Sequence, residues 1–193
     1  MDEQSLSYNT DNSLNSKETD ATNSSISLSF ENQYQITPNL QNHIISAIAA
    51  NLNEIIEENH RLYGNVSKDN LFYLDNLPPI SLENFIHHLV KYTNMNISSL
   101  ILSVIYIDQF CEKYKYILSL NNIYRLILVF VFISMKYNED IMVNANTYSK
   151  IAGVSVNDLK ILEYKMCEAL DFKFFVKSEY FQQYFVYFCK YSP

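Results

Sequence analysis

Residues 126–133 read LILVFVFI, an uninterrupted apolar run in the middle of a chain of 193 residues. A helix that is apolar on all sides is buried among other elements, whereas a surface helix carries a single apolar stripe. The β-branched residues of the run would also suit a buried strand. A strand without a partner strand elsewhere in the chain would leave unpaired edges, however. The run therefore predicts a central helix over residues 122–137 that is surrounded by other helices.

The composition of the whole chain favours helices in a single domain. Hydrophobic residues make up 48% of the sequence and aromatic residues 15%, enough for a sizeable core. Only two glycines and four prolines are present. An all-β fold needs a turn roughly every 8–12 residues, and these residues are the usual turn formers. We therefore expect an all-α fold.

Periodic apolar residues predict helices on both sides of the central one. Residues 1–36 are rich in Ser, Asn, Asp and Thr and cannot bury enough apolar area to offset the entropy of ordering, so they predict a disordered polar tail. The other predicted units are an N-terminal helix over residues 37–63, five helices within residues 77–175, and a C-terminal helix within residues 176–193. Ser81 and Ser155 are candidate N-caps, and Gly153 is a candidate C-cap.

The charge pattern argues against a nucleic-acid ligand. The net charge is −7, of which the first 38 residues carry −5, so the remainder is nearly neutral. Proteins that bind nucleic acid carry clustered Lys and Arg on one face, but here the bases are scattered. We predict no nucleic-acid partner.

The cysteines and the longest apolar run bear on compartment and membrane. The cysteines, Cys111, Cys167 and Cys189, are far apart and form no C-x-x-C pair, which predicts neither disulfides nor a zinc site. We expect an intracellular protein of the cytoplasm or nucleus. We expect no secretory signal, because no basic segment followed by an apolar one opens the sequence. The longest apolar run, residues 126–135, is about half the length of a bilayer span. The sequence predicts no membrane partner.

Motifs of catalysis are not found in the sequence. It contains no Gly-rich phosphate loop, no G-x-S-x-G and no H-E-x-x-H. The adjacent His87 and His88 do not face each other on a helix, and no nearby carboxylate or cysteine completes a ligand set. We predict neither an enzyme nor a cofactor or metal site.

Seven short sequence motifs, taken in order, resemble the cyclin box, in particular that of the P/U-type cyclins. The resemblance spans residues 77–175. The motifs are PPIS (78–81), KY (91–92), IYID (105–108), NIYRL (122–126), KYNED (136–140), NANTYSKIAGVS (144–155) and LE (162–163).

The resemblance implies a five-helix cyclin box with a buried third helix, preceded by an extra helix. It also implies a regulatory subunit that binds and activates a cyclin-dependent protein kinase as a heterodimer. In cyclins a Lys at the end of the third box helix and a Glu in the fifth hydrogen-bond the kinase backbone, which makes Lys136 and Glu163 the candidate anchors. Tyr137, Tyr148 and Phe172 are the candidate apolar contacts beside them.

The residues themselves leave other interpretations of the two anchors open. Lys136 also fits a surface lysine that extends its charged head into water, and Glu163 fits an exposed helical face. Charged heads on apolar helices offer charge-assisted hydrogen bonds, which are stronger than neutral ones. For the kinase-binding interpretation we expect the ammonium and the carboxylate to lie side by side on an outward-facing patch.

Two further expectations follow from the resemblance. Many cyclins pair an Arg of the first box helix with the Asp of the second. The aligned residues here are His88 and Asp108, so we expect a weaker, pH-dependent structural pair. A different function on the same architecture also stays open, namely a cyclin-fold helical adaptor that binds a partner other than a kinase.

Overall fold

The computed structural model describes residues 36–64 and 71–191. The predicted tail lies outside these residues apart from Ile36. Within them the chain forms seven helices and no strand, which confirms the expected all-α fold. The helices are α1 (Pro38–Tyr63), α2 (Leu82–Thr93), α3 (Ile97–Tyr114), α4 (Leu120–Asn138), α5 (Ala145–Ala152), α6 (Val156–Ala169) and α7 (Ser178–Lys190).

Local side-chain caps explain where several helices begin and end. The first N–H groups of a helix have no partner within the helix, and a Ser, Thr or Asn at the N-cap can accept from one of them. The side chains of Thr37, Ser81, Asn144 and Ser155 do so at the starts of α1, α2, α5 and α6. Gly153 ends α5 with φ at 71°, in the left-handed region that glycine enters without steric cost.

The central helix is α4, and its apolar run is buried as predicted. Each side chain of residues 126–133 is at most 3% exposed. α2, α3 and α6 pack against it, and Tyr148 of α5 also contacts it. By length and composition α4 could also cross a membrane, but 72% of its apolar window is buried inside the protein. Enclosure by neighbouring helices accounts for its apolar surface.

The other helices complete a layer around this centre. α5 packs between α2 and α6, so that α2 to α6 form one connected group of five helices. α1 packs on α2, and α7 packs on both α1 and α3. The α4–α6 contact brings the end of α4, with Lys136, next to the middle of α6, with Glu163.

The expected pair of His88 and Asp108 is wrong, because each group has another partner. The His88 imidazole bonds through Nε2 to the Ile151 carbonyl of α5 at 3.0 Å. Asp108 Oδ2 accepts a hydrogen bond from the Tyr184 hydroxyl of α7 at 2.7 Å. These partners come from the packing of α5 on α2 and of α7 on α3. Ile151 lies 63 residues after His88, and Tyr184 lies 76 residues after Asp108.

Candidate functional site

Lys136 lies in the last turn of α4, at the point where this buried helix reaches the surface. A cation in this position is favoured by the partial negative charge of the helix C-terminus. The preceding Met135 is fully buried, whereas the Lys136 side chain is 48% exposed. Its ammonium nitrogen lies 5.5 Å from the centre of the Phe132 ring, one turn earlier. The ring supports the stem while the charged head stays accessible.

Glu163 lies on α6 at the edge of its buried stripe. Leu159, Leu162 and Met166 form that stripe, and the Glu163 side chain is 20% exposed. Its Oε1 atom lies 2.5 Å from Nζ of Lys136, so the two groups form an ion pair between α4 and α6. The structure therefore brings the two candidate anchors side by side at the surface.

The strength of this ion pair determines how easily the two side chains can exchange their mutual bond for bonds to another protein. Ion pairs open to solvent contribute about 0–1 kcal/mol, because water competes for both charges and two long side chains lose freedom. Exchanging the internal bond for bonds to another protein consequently costs little. The Lys136 ammonium can donate to a carbonyl, and the Glu163 carboxylate can accept from an N–H.

Cys167 lies one turn after Glu163 and is half-buried. Burial raises the pKa of its thiol, the Glu163 carboxylate raises it further, and the Lys136 ammonium opposes the shift in part. Reaction at cysteine requires the thiolate. The thiol therefore contributes packing beside the ion pair and is a poor nucleophile.

The chain leaves α6 through an unusual turn that exposes an aromatic ring. Asp171 and Phe172 both have positive φ, at 52° and 55°, a conformation that is rare for bulky residues. The Phe172 N–H donates to the Cys167 carbonyl at 2.8 Å, which fixes the turn to the end of α6. The Phe172 side chain is 64% exposed.

This turn is held by the C-terminal end of α3, which sequence reasoning missed. Nζ of Lys113 donates to the Ala169 carbonyl at 2.7 Å and to Asp171 Oδ2 at 2.8 Å. The Tyr114 hydroxyl donates to the same Ala169 carbonyl at 3.0 Å. The bond from Lys113 lowers the pKa of the Asp171 carboxyl. No local sequence pattern indicates these contacts, since the partners lie 55 to 58 residues apart.

The two candidate tyrosines occupy different environments. Tyr137 is half-buried, with its ring 5.8 Å from that of Phe174. Tyr148 is 0% exposed, its hydroxyl donates to the Leu128 carbonyl at 2.6 Å, and its ring lies 4.7 Å from Phe132. The prediction that Tyr148 contacts a partner is therefore wrong. Tyr148 joins α5 to α4 inside the core.

Three further exposed apolar side chains were not singled out from the sequence. They follow α4 or lie on or just beyond α6, and they are Ile141, Tyr164 and Phe175. The exposure of Tyr164 could have been predicted from the sequence, because the helical periodicity of the buried stripe on α6 places this residue outside the stripe. Exposed aromatic residues are common anchors of protein interfaces. Tyr164, the residue after Glu163, therefore offers apolar contact area next to the ion pair.

Comparisons with known proteins place the chain in one family. The cyclin family model matches residues 4–174. The chain is similar to Cyclin-U2-1 of Arabidopsis thaliana, with 26% identity over 155 residues that cover 78% of this chain and 70% of the relative. Cyclin-U4-1 of Arabidopsis thaliana is 24% identical over 154 residues, covering 78% and 76%. Cyclin-P3-1 of Oryza sativa subsp. japonica is 24% identical over 144 residues, covering 73% and 61%. The chain thus belongs to the cyclin family and is a cyclin of the P/U type.

Proposed function

We propose that this cyclin binds and activates a cyclin-dependent protein kinase, in an intracellular heterodimer, through the surface formed by α4 and α6. A regulatory role comes with membership of the family. The observation that carries the finer proposal is the Lys136–Glu163 ion pair, which joins these two helices at 2.5 Å on the surface.

The ion pair gives the kinase two oriented hydrogen-bonding groups. On docking, the ammonium turns to a backbone carbonyl of the kinase and the carboxylate turns to a backbone N–H. Both new bonds are charge-assisted and lie in a surface from which water is displaced, so they are stronger than the solvent-exposed bond that they replace. The pair thereby fixes the orientation of the partner.

Apolar contact area for the interface comes from the side chains around the pair. Phe172 projects from its left-handed turn, and Tyr164 and Phe175 are exposed beside α6. Aromatic side chains at the centre of an interface supply much of its binding energy. A regulatory interface of this kind buries on the order of 2,000 Å² or more.

Activation follows from selective binding. A protein kinase is active when the Glu of its C-helix pairs with the Lys that contacts ATP and when its activation loop is ordered. A protein that binds this arrangement more tightly than the inactive one shifts the population toward it. The cyclin needs no catalytic group of its own for this effect.

The test uses charge reversal at the two anchors. Lys136→Glu and Glu163→Lys should each abolish capture of active kinase while the domain stays folded. The double variant Lys136→Glu/Glu163→Lys restores an internal ion pair with the charges exchanged. It should therefore recover any lost stability without recovering capture, because both groups then oppose the wrong partner groups on the kinase.

A matched control lies on α1, which packs on α2 and α7. Glu58 and Arg61 form an exposed ion pair there at 2.6 Å, three residues apart. Reversal of both should leave capture unchanged. Undiminished co-purification of active kinase with Lys136→Glu and Glu163→Lys would refute the proposal.

A further inference from the structure

A pocket away from the α4–α6 surface opens where α7 crosses α1 and α3. Its volume is about 380 Å³, near the lower end of the range of about 300–1,000 Å³ typical of small-ligand sites. One carboxylate, two amides and three aromatic rings line it, namely Asp108, Asn51, Gln183, Tyr184, Tyr187 and Phe188.

The carboxylate in this pocket is partly buried and its hydrogen-bond partner is neutral. Asp108 Oδ2 accepts from the Tyr184 hydroxyl, which itself lies 3.3 Å from the Tyr180 hydroxyl. Burial raises the pKa of the Asp108 carboxyl, the bond from Tyr184 opposes the shift, and Glu112 one turn later raises it further. A cation placed in the pocket would offset both the burial and the repulsion from Glu112.

The remaining walls match a planar cation. Aromatic faces attract cations, and on α7 the centre of the Phe188 ring lies 6.4 Å from that of Tyr184 and 5.1 Å from that of Tyr187. The amide nitrogen of Asn51 donates to the Tyr187 hydroxyl at 3.0 Å, and the amide oxygen of an Asn can accept from a further donor. Guanidinium carries five N–H donors in a plane and stacks on aromatic rings, whereas an ammonium is compact and strongly hydrated.

Beside the pocket lies a shallow, open groove that is lined by residues of α7 and by Tyr191, which follows it. The groove has a volume of about 740 Å³ and shares Gln183 and Tyr187 with the pocket. Glu179 lies in its wall, and Tyr191 there bonds to Glu54 of α1. Lys190 also lines the groove. A peptide backbone has room in this groove when one of its side chains enters the pocket.

From this arrangement we infer that the pocket of Asn51, Asp108 and Tyr184 binds the arginine side chain of a partner peptide whose backbone lies in the groove along α7. The site is separate from the ion pair of α4 and α6, so its existence does not depend on the kinase proposal. It gives the protein a second contact surface that recognises basic segments.

The first experiment titrates N-acetyl-arginine methylamide into the ¹⁵N-labelled full chain and follows amide chemical shifts. N-acetyl-citrulline methylamide is the matched probe, since it has nearly the same shape without the charge. Saturable shifts at Asp108, Gln183 and Tyr184 with the arginine derivative alone are expected. Equal shifts with citrulline, or no shifts at these positions, would overturn the inference.

Three substitutions test which side chains contribute to binding of the arginine derivative. Asp108→Asn keeps an acceptor for Tyr184 and should weaken binding about tenfold or more, as loss of one charge-assisted contact does. Gln183→Lys changes an exposed position only and should weaken binding by placing a cation at the entrance. Glu168→Gln removes a carboxylate on α6 and should leave binding unchanged. Binding by Asp108→Asn and Gln183→Lys at wild-type strength would contradict the assignment.

Two larger probes test whether the bound cation belongs to a peptide or to a free polyamine. A short Gly/Ser peptide with a central arginine should bind more tightly than the arginine derivative, because its backbone adds contacts in the groove. Spermidine represents free polyamines. Saturation of the same amides by spermidine at lower concentration than by the peptide would overturn the assignment to a peptide.

Discussion

Replacing Tyr148 with Phe removes one hydroxyl group from the core and keeps the ring that packs on Phe132. The lost bond runs to the Leu128 carbonyl at 2.6 Å. This carbonyl also accepts the helical N–H four residues later, so it is not left without a partner. The free energy of unfolding should therefore fall by about 0.5–1.5 kcal/mol. For a domain of this size that corresponds to a Tm about 1–6 °C lower.

Tyr148→Ala is the companion variant, because it removes the ring as well. Truncating a buried aromatic residue to Ala costs about 3–5 kcal/mol, so its Tm should fall several times further. Thermal unfolding by circular dichroism and denaturant titration measure both effects. Kinase capture by Tyr148→Phe, assayed well below its Tm, should equal that of the wild type. A wild-type Tm together with reduced capture would show that Tyr148 reaches a partner and would refute its placement in the core.

Three other predictions concern the turn after α6, the carboxyl of α3 and the start of α2. Lys113→Met removes the bonds that hold the turn of Phe172, so kinase capture should weaken while Tm changes little; a loss of Tm without a loss of capture would contradict this role. Asp108 has a raised pKa in the folded protein, so its ionisation opposes folding from about pH 4 upward. Asp108→Asn should accordingly be more stable than the wild type at neutral pH, with the difference in unfolding free energy vanishing below about pH 4; a pH-independent difference would exclude this cause. Ser81→Ala removes an N-cap and should cost about 1 kcal/mol in denaturant titrations, whereas Ser81→Gly should cost only a few tenths.

Features that depend on neighbouring residues were predictable from the sequence. The apolar run of α4 specifies a buried helix because it leaves no polar face for solvent. Ser81 and Gly153 mark helix ends through bonds and backbone angles within a few residues of themselves. The adjacency of Lys136 and Glu163 was expected from the resemblance and is present in the structure. Their role in binding a kinase stays a prediction.

Features that depend on distant contacts were not predictable in the same way. The burial of Tyr148 is set by the side on which the short α5 meets α4, and eight residues of helix do not specify that side. Asp108 bonds to a tyrosine 76 residues away, and Lys113 bonds to an aspartate 58 residues away. Such partners are chosen by the packing of whole helices, which no local pattern encodes.

The enclosure of α4 also determines how the domain unfolds. Because α2, α3 and α6 all pack on α4, separating any of them uncovers apolar side chains that are buried in the folded domain. The free energy needed to separate one of these helices from α4 should be close to that of complete unfolding. We therefore expect the amide hydrogens of α4 to exchange with solvent only when the whole domain unfolds. The five-helix group is consequently a single cooperative unit, and a fragment that lacks α2 or α6 would expose the central helix and aggregate.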